Sequence, residues 1–271
     1  MPHTLNSFIK SLPGSKKLVT WLRMQKHKKA ISNFLQSVYP VSTDRKLVRF
    51  GPNGDGGYLI PDDLNNIHAC FSPGVSSVSG FEKDCAEKGI EVYLADASVD
   101  QPADQDKHFH FLKKYIDATT HDNYISMDDW VSSSISDNKS DLLLQMDIEG
   151  YEYDAILGTS NKLMSRFRII VAEFHDMHGL MEGSDFLRNK IIQCFKKINE
   201  THACVHIHPN NCCGIFNYAD VKIPRLMEFT FYRKDRITRH SYRNDFPHNL
   251  DIDNTSKPTI TLPQCWYKNS E

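Results

Sequence analysis

The stretch Asp141-Leu142-Leu143-Leu144-Gln145-Met146-Asp147-Ile148-Glu149-Gly150-Tyr151-Glu152 decides how the chain is read. An apolar run opens into three acids around a glycine, the pattern of a strand that is apolar on both faces and carries its polar groups at its carboxyl end. Three carboxylates so close repel one another, and a bound cation or a cationic ligand relieves that repulsion. Outward from it lie further short apolar runs, Cys70-Phe71, Val92-Tyr93-Leu94-Ala95 and Ile169-Ile170-Val171-Ala172. Amphipathic stretches alternate with them at Phe81 to Lys88, Asp128 to Ile135, Tyr153 to Met164 and Ser184 to Asn199. This alternation predicts an α/β fold with a mostly parallel central sheet and helices on both faces. His202 to His208 and Arg225 to Arg233 are expected to add an antiparallel C-terminal edge.

Ligands of open parallel sheets bind beyond the carboxyl ends of the strands, so the residues after each apolar run are read first. Ser72-Pro73-Gly74-Val75-Ser76-Ser77 is a small-residue turn entering a helix. It either lets backbone N–H groups approach a carboxylate or phosphate, or is a plain strand-to-helix turn. Asp96, followed by Ser98, stands at the next strand tip, about 20 residues on, where an acid accepts the hydroxyls of a ribose. The alternative for Asp96 is a helix cap. The Gly74 and Asp96 pair fits NAD and S-adenosylmethionine alike, whereas the Asp147 cluster fits a sulfonium or a divalent metal.

Bulk composition narrows the partners. With 271 residues, 40% hydrophobic and 24% charged, the chain holds enough apolar matter for one sizeable core plus additions. A net charge of −2 gives no support to a nucleic-acid binder. The charge is uneven, since no acid precedes Asp44 while Lys10, Lys16, Lys17, Arg23, Lys26, Lys28 and Lys29 are basic. Apolar residues from Phe8 to Val38 recur at helical spacing, broken by Pro13-Gly14. They predict N-terminal helices that pack on the domain or a second subunit, or lie on an anionic membrane or a protein partner. No signal peptide or spanning segment is visible, so a cytoplasmic location, with membrane association through these helices, is expected. Seven cysteines without a CxxC pair read as reduced thiols. The expected organisation is a basic helical extension over 1–43, a ligand-binding domain over 44–237 and an extended tail over 238–271.

Asp147-Ile148-Glu149-Gly150-Tyr151-Glu152 followed by Ile156-Leu157-Gly158 resembles the FkbM-type methyltransferase motif. Arg49-Phe50-Gly51 with Asp55-Gly56-Gly57-Tyr58, Ile125-Ser126-Met127-Asp128-Asp129-Trp130, Glu173-Phe174-His175 and the His206 to Asn211 run are similar to segments of the same family, so the likeness spans about residues 46 to 234. The Ser-Pro-Gly turn departs from the family by having one glycine where most members carry two or three. The resemblance implies a Rossmann-like class I methyltransferase that binds S-adenosylmethionine. It adds Arg49, Asp55, Gly57 and Tyr58 to the cofactor candidates Ser72, Gly74, Ser76, Asp96, Ser98 and Asp147.

Methyl transfer to a hydroxyl requires a general base, a metal that lowers the hydroxyl's pKa, or both. His175, His178, His206 and His208 lie at or beyond strand tips, and His175 beside Asp147 is the preferred base, the alternative being a histidine that bonds a loop. Asp147, Glu173 and His208 can form a magnesium or manganese site, or Asp147 orients cofactor or substrate directly. Asn210-Asn211 either binds acceptor hydroxyls or makes a turn. The expected function is O-methylation of a saccharide or related hydroxylated metabolite, as in cell-surface polysaccharide biosynthesis. A catalytically silent recruitment module and an NAD-dependent oxidoreductase are the competing readings, and homo-oligomerisation is compatible with each.

Overall fold

A computed structural model describes residues 27–75, 78–181, 185–218 and 221–268. The apolar runs become β1 (Ile67–Pro73), β2 (Glu91–Ala95), β3 (Phe109–Leu112), β4 (Asp141–Met146), β5 (Phe167–Phe174), β6 (His202–Pro209) and β7 (Met227–Arg233) of one sheet, ordered β6-β7-β5-β4-β1-β2-β3. Every neighbouring pair is parallel except those of β7, which runs antiparallel to both β5 and β6. The antiparallel element is therefore inserted, and the sheet's margin is the parallel strand β6. The order reverses between β1 and β4, and at such a switch point the loops leaving adjacent strands diverge and open a crevice.

Alternation along β4 sorts the core into two layers. Leu142, Leu144 and Met146 pack with Trp130 of α3 (Met127–Ser134), Tyr153 and Ile156 of α4 (Glu152–Gly158), and Ile191 and Phe195 of α5 (Asp185–Thr201). On the other face Leu143, with Ile169 and Val171, meets Phe81 and Cys85 of α2 (Gly80–Glu87) and the antiparallel hairpin of Leu47–Phe50 with Tyr58–Pro61. Helices thus cover both faces unequally, a hairpin replacing helix on the second. Neither that hairpin nor β3, whose side chains are half-exposed, has the long apolar run that marks the inner strands.

Of the N-terminal extension, residues 1–26 lie outside the described residues and 27–37 form α1. Ile31, Phe34 and Leu35 of α1 are buried in the main core, and the Phe34 ring stands 5.0 Å from Phe195, edge to face. This helix packs on the domain. The segment after Thr238 has little regular structure, yet it is built into the fold rather than trailing from it. His240–Tyr242 pairs with Val41–Thr43, Leu262 and Trp266 are buried, and the Trp266 indole donates to the Lys222 carbonyl at 2.9 Å. Two apolar residues in a polar context were enough to anchor it. The reduced-thiol expectation fails at Cys212 and Cys213, whose sulfurs, brought together by the turn after β6, form a disulfide. The other five cysteines are free. No helix among the described residues is long and apolar enough to cross a membrane.

Candidate functional site

The loops leaving β1, β2 and β4 enclose a cleft of about 720 Å³ at the switch point. Gly74 closes the β1 turn at φ +87°, and a Cβ there would stand 1.5 Å from the Asp147 carbonyl oxygen. Only glycine lets the β1 turn touch the β4 tip, and the contact is sealed by the Asp147 N–H donating to the Pro73 carbonyl at 3.2 Å. Gly74 also donates to the Ala95 carbonyl at 3.0 Å, so three strand tips are tied together. Asp96 lines the cleft and accepts from the Val75 N–H (3.1 Å), the Ser98 N–H (2.8 Å) and the Ser98 hydroxyl (2.6 Å). Its oxygens organise the turn at the cleft wall.

The sequence candidates separate into those that face the cleft and those that build beneath it. Asp55, Tyr58, Gly74, Asp96, Ser98 and Asp147 line it. Arg49 does not. Its guanidinium is spent on the carbonyls of Pro52 (3.0 and 2.7 Å) and Gly54 (3.0 Å), bracing the loop inside the hairpin. Gly57 belongs to the same brace, since a Cβ on it would fall 2.1 Å from the Pro52 carbonyl and 2.3 Å from Arg49 Nη2. Ser72 is buried under the floor, its hydroxyl 2.5 Å from Glu82 and 2.6 Å from Gln145. Burial raises Glu82, and the hydrogen bond it accepts from Ser72 opposes the shift. Ser76 lies outside the described residues.

At the β4 tip the acids take distinct roles. Glu152 is fully buried at the start of α4, and its Oε1 accepts from the Ile148 N–H (3.1 Å) and the Gly150 N–H (3.0 Å), folding the loop between them. The same oxygen meets His175 Nδ1 at 3.1 Å and so orients the ring. Glu149, held at φ +56°, is exposed and its Oε2 lies 3.2 Å from His175 Nε2. Asp147 has an oxygen, Oδ1, that is shut off from solvent without a hydrogen-bond partner. Burial pushes Asp147 up to about 7; His175 opposes the shift, while Glu152, Glu149 and Asp55 reinforce it. Burial alone would lower His175, but the Glu152 hydrogen bond and the charges of Glu152, Asp147 and Glu149 outweigh it and raise the imidazole above its ordinary value.

Glu173, Glu228 and His208 form a row across β5, β7 and β6. Burial, with Asp147 and Glu228 nearby, raises Glu173 well above the carboxylate range, and burial likewise raises Glu228. Glu228 was passed over in the sequence, although a lone acid in the apolar run Met227-Glu228-Phe229-Thr230-Phe231 was a visible signal. The set Asp147, Glu173 and His208 is not assembled as metal ligands. His208 Nε2 is 3.2 Å from Asn254 Oδ1 and its Nδ1 3.8 Å from Asp251, so the C-terminal segment holds the ring. His206 is bound likewise to Asp251 at 2.8 Å, and His178 stands beside Asp176 at 3.8 Å. Asn210 donates to Glu173 at 3.1 Å and Asn211 to the carbonyls of Thr255 and Lys257 at 3.0 and 2.7 Å, so both hold structure together.

Residues 64–198 match the family model described as the methyltransferase FkbM domain. No curated protein matches the chain. Among solved structures the chain is similar to one described as a methyltransferase of an antibiotic biosynthesis pathway from Anabaena variabilis, at 14% identity and a TM-score of 0.29, over 54% of this chain and 63% of that one. It is also similar to the N-methyltransferase NodS from Bradyrhizobium japonicum, at 11% identity and a TM-score of 0.32, over 78% of this chain and 96% of that one. Both likenesses are too slight to add to the fold already read from the strand order.

Proposed function

From the membership of residues 64–198 in the FkbM methyltransferase family, we propose that the chain uses S-adenosylmethionine to methylate a hydroxyl of a saccharide or related hydroxylated metabolite. The observation that carries the reading is the pairing, in one cleft, of Asp96 at the β2 tip with the partnerless oxygen of Asp147 at the β4 tip. A volume of about 720 Å³ suits a nucleoside cofactor with part of an acceptor. Among the described residues no lysine or arginine lines the cleft, whose acids are Asp55, Glu82, Asp96, Asp147 and Glu149, so its field favours a cationic ligand such as a sulfonium.

In this reading Asp96 receives the ribose hydroxyls, and the Gly74 turn, which has no side chain, lets the rest of the cofactor approach the β1 tip closely. The bound cofactor supplies an electrophilic methyl group. Asp147 and His175 hold the acceptor hydroxyl in line with it. His175, oriented through Nδ1 by Glu152, receives the hydroxyl proton on Nε2. Tyr115, Tyr124 and Tyr151 at the mouth give flat faces against which a sugar ring packs.

Calorimetric titration of the full chain with S-adenosylhomocysteine tests the cofactor half. Saturable binding that Asp96→Asn weakens about tenfold, the loss of one charge-assisted hydrogen bond, is expected. A folded protein giving no heat with millimolar ligand removes the reading.

A further inference from the structure

We infer that Asp147, Glu149 and His175 form a divalent-cation site that seats an acceptor through two adjacent oxygens. The ion's purpose rests on the methyltransferase reading; its binding does not. One potential ligand atom from each residue lies within 4.8 Å of the other two, a spacing that a single hard ion can bridge. Two carboxylates and one imidazole suit magnesium or manganese.

Proximity of acids is not the whole argument. The buried Glu152 meets His175 Nδ1 at 3.1 Å, and Glu149 lies 3.2 Å from Nε2; a proton held at Nδ1 by Glu152 would leave the Nε2 lone pair for an ion. A carboxylate fixing the far nitrogen of an imidazole in this way is how proteins orient a histidine ligand and raise its basicity. Independently, Asp147 Oδ1 is buried without a donor, and Glu152 Oε2, on a side chain with no exposure at all, is likewise without one. Leaving such oxygens unmet is costly, and an ion removes the cost at Asp147 while drawing on the field of Glu152. Asp55 is a further acid beside the site, and among the described residues no lysine or arginine lines the cleft.

Three protein ligands leave coordination positions for two acceptor oxygens, which selects vicinal diols over isolated alcohols. With an ion present His175 Nε2 would be a ligand and not the base; the ion would lower the pKa of the acceptor hydroxyl, whose proton would pass to solvent water.

Mn²⁺ titrated into the full chain, with free ion followed by electron paramagnetic resonance, tests the site. Saturable binding of one Mn²⁺ per chain, displaced by excess Mg²⁺, is expected. Glu149→Gln should weaken it about tenfold or more, with unchanged circular dichroism because that side chain is 87% exposed. His175→Gln should do the same. Absence of Mn²⁺ binding at millimolar ion, or equal binding by wild type and Glu149→Gln, overturns the proposal in favour of a protonated His175 paired directly with Glu149. S-adenosylhomocysteine binding measured in chelator separates the two claims. If it persists without Mn²⁺ binding, only the ion site falls; if Mn²⁺ binds and the nucleoside does not, the ion site stands and the methyltransferase reading falls.

Discussion

Strand β4 begins at one aspartate and ends against another, and the two are treated in opposite ways. Asp141 is saturated: Arg168 donates Nε at 2.8 Å, and Arg233 donates Nη1 and Nη2 at 2.6 and 3.1 Å. Burial would raise it, but the Arg233 and Arg168 hydrogen bonds prevail and hold it below its ordinary value. Asp147, at the other end, has other carboxylates for neighbours, one histidine to oppose them, and a pKa pushed up to about 7. A paired acid closes the bottom of the sheet. An unpaired acid, kept where its neighbours disfavour its charge, marks the end where a ligand is awaited.

The largest break in this contrast comes from Arg168, a nearly buried side chain that also donates to the carbonyls of Asp63 and Asn65. Arg168→Met leaves several buried acceptors unmet and should lower the unfolding free energy by about 3–5 kcal/mol in urea melts. S-adenosylhomocysteine affinity of the folded fraction should stay the same. Next, Gly74→Ala forces a Cβ into the Asp147 carbonyl and should cost about 2–4 kcal/mol, with nucleoside affinity falling alongside stability. Calorimetry and thermal melts on one preparation check that the two losses travel together.

Asp147→Asn sharpens the comparison through pH. The folded state binds the Asp147 proton up to about pH 7, whereas an unfolded aspartate releases it near 3.8. Stability therefore falls as pH rises from about 4 toward 7, and the penalty is complete above that. Asn abolishes it. The variant's advantage over wild type should grow by about 1 kcal/mol or more between pH 4 and pH 8, being smallest near pH 4, while methyl transfer drops about 100-fold or more. A stability gain independent of pH would refute the unpaired state of Asp147. Asp141 has the opposite sign, its contribution being lost only as pH falls below about 4. The smallest effect belongs to Arg236→Gln at the bottom rim, where a partly exposed guanidinium donates to Asp63 at 2.9 Å through both Nε and Nη2. A decrease of about 1 kcal/mol or less is expected from the same urea melts.

The sheet's interior was legible because β1, β4 and β5 are buried on both faces and so leave continuous apolar runs. Asp147, Asp96 and His175 were legible as polar residues directly after such runs. What escaped was set by partners distant in sequence. Arg49 and Gly57 look like ligand residues until the Pro52 carbonyl is seen between them, and Ser72 until Glu82 and Gln145 claim its hydroxyl. Glu228 acquires meaning only from the insertion of β7, which sets it opposite both Glu173 and His208. His208 was assigned to a metal because nothing local foretells that Asn254, 46 residues later, folds back onto it.

The insertion of β7 also orders events during synthesis. β6 has no neighbour in the sheet except β7, although it precedes β7 in the chain. As the polypeptide emerges from a ribosome, β1 to β5 can pair while β6 has no strand to join, and β5 presents an open edge. Met227–Arg233 then enters that gap in a single hairpin-like step, pairing with both strands at once. A nascent chain that ends before Met227 therefore leaves the β5 edge and all of β6 without the strand that pairs them in the finished sheet.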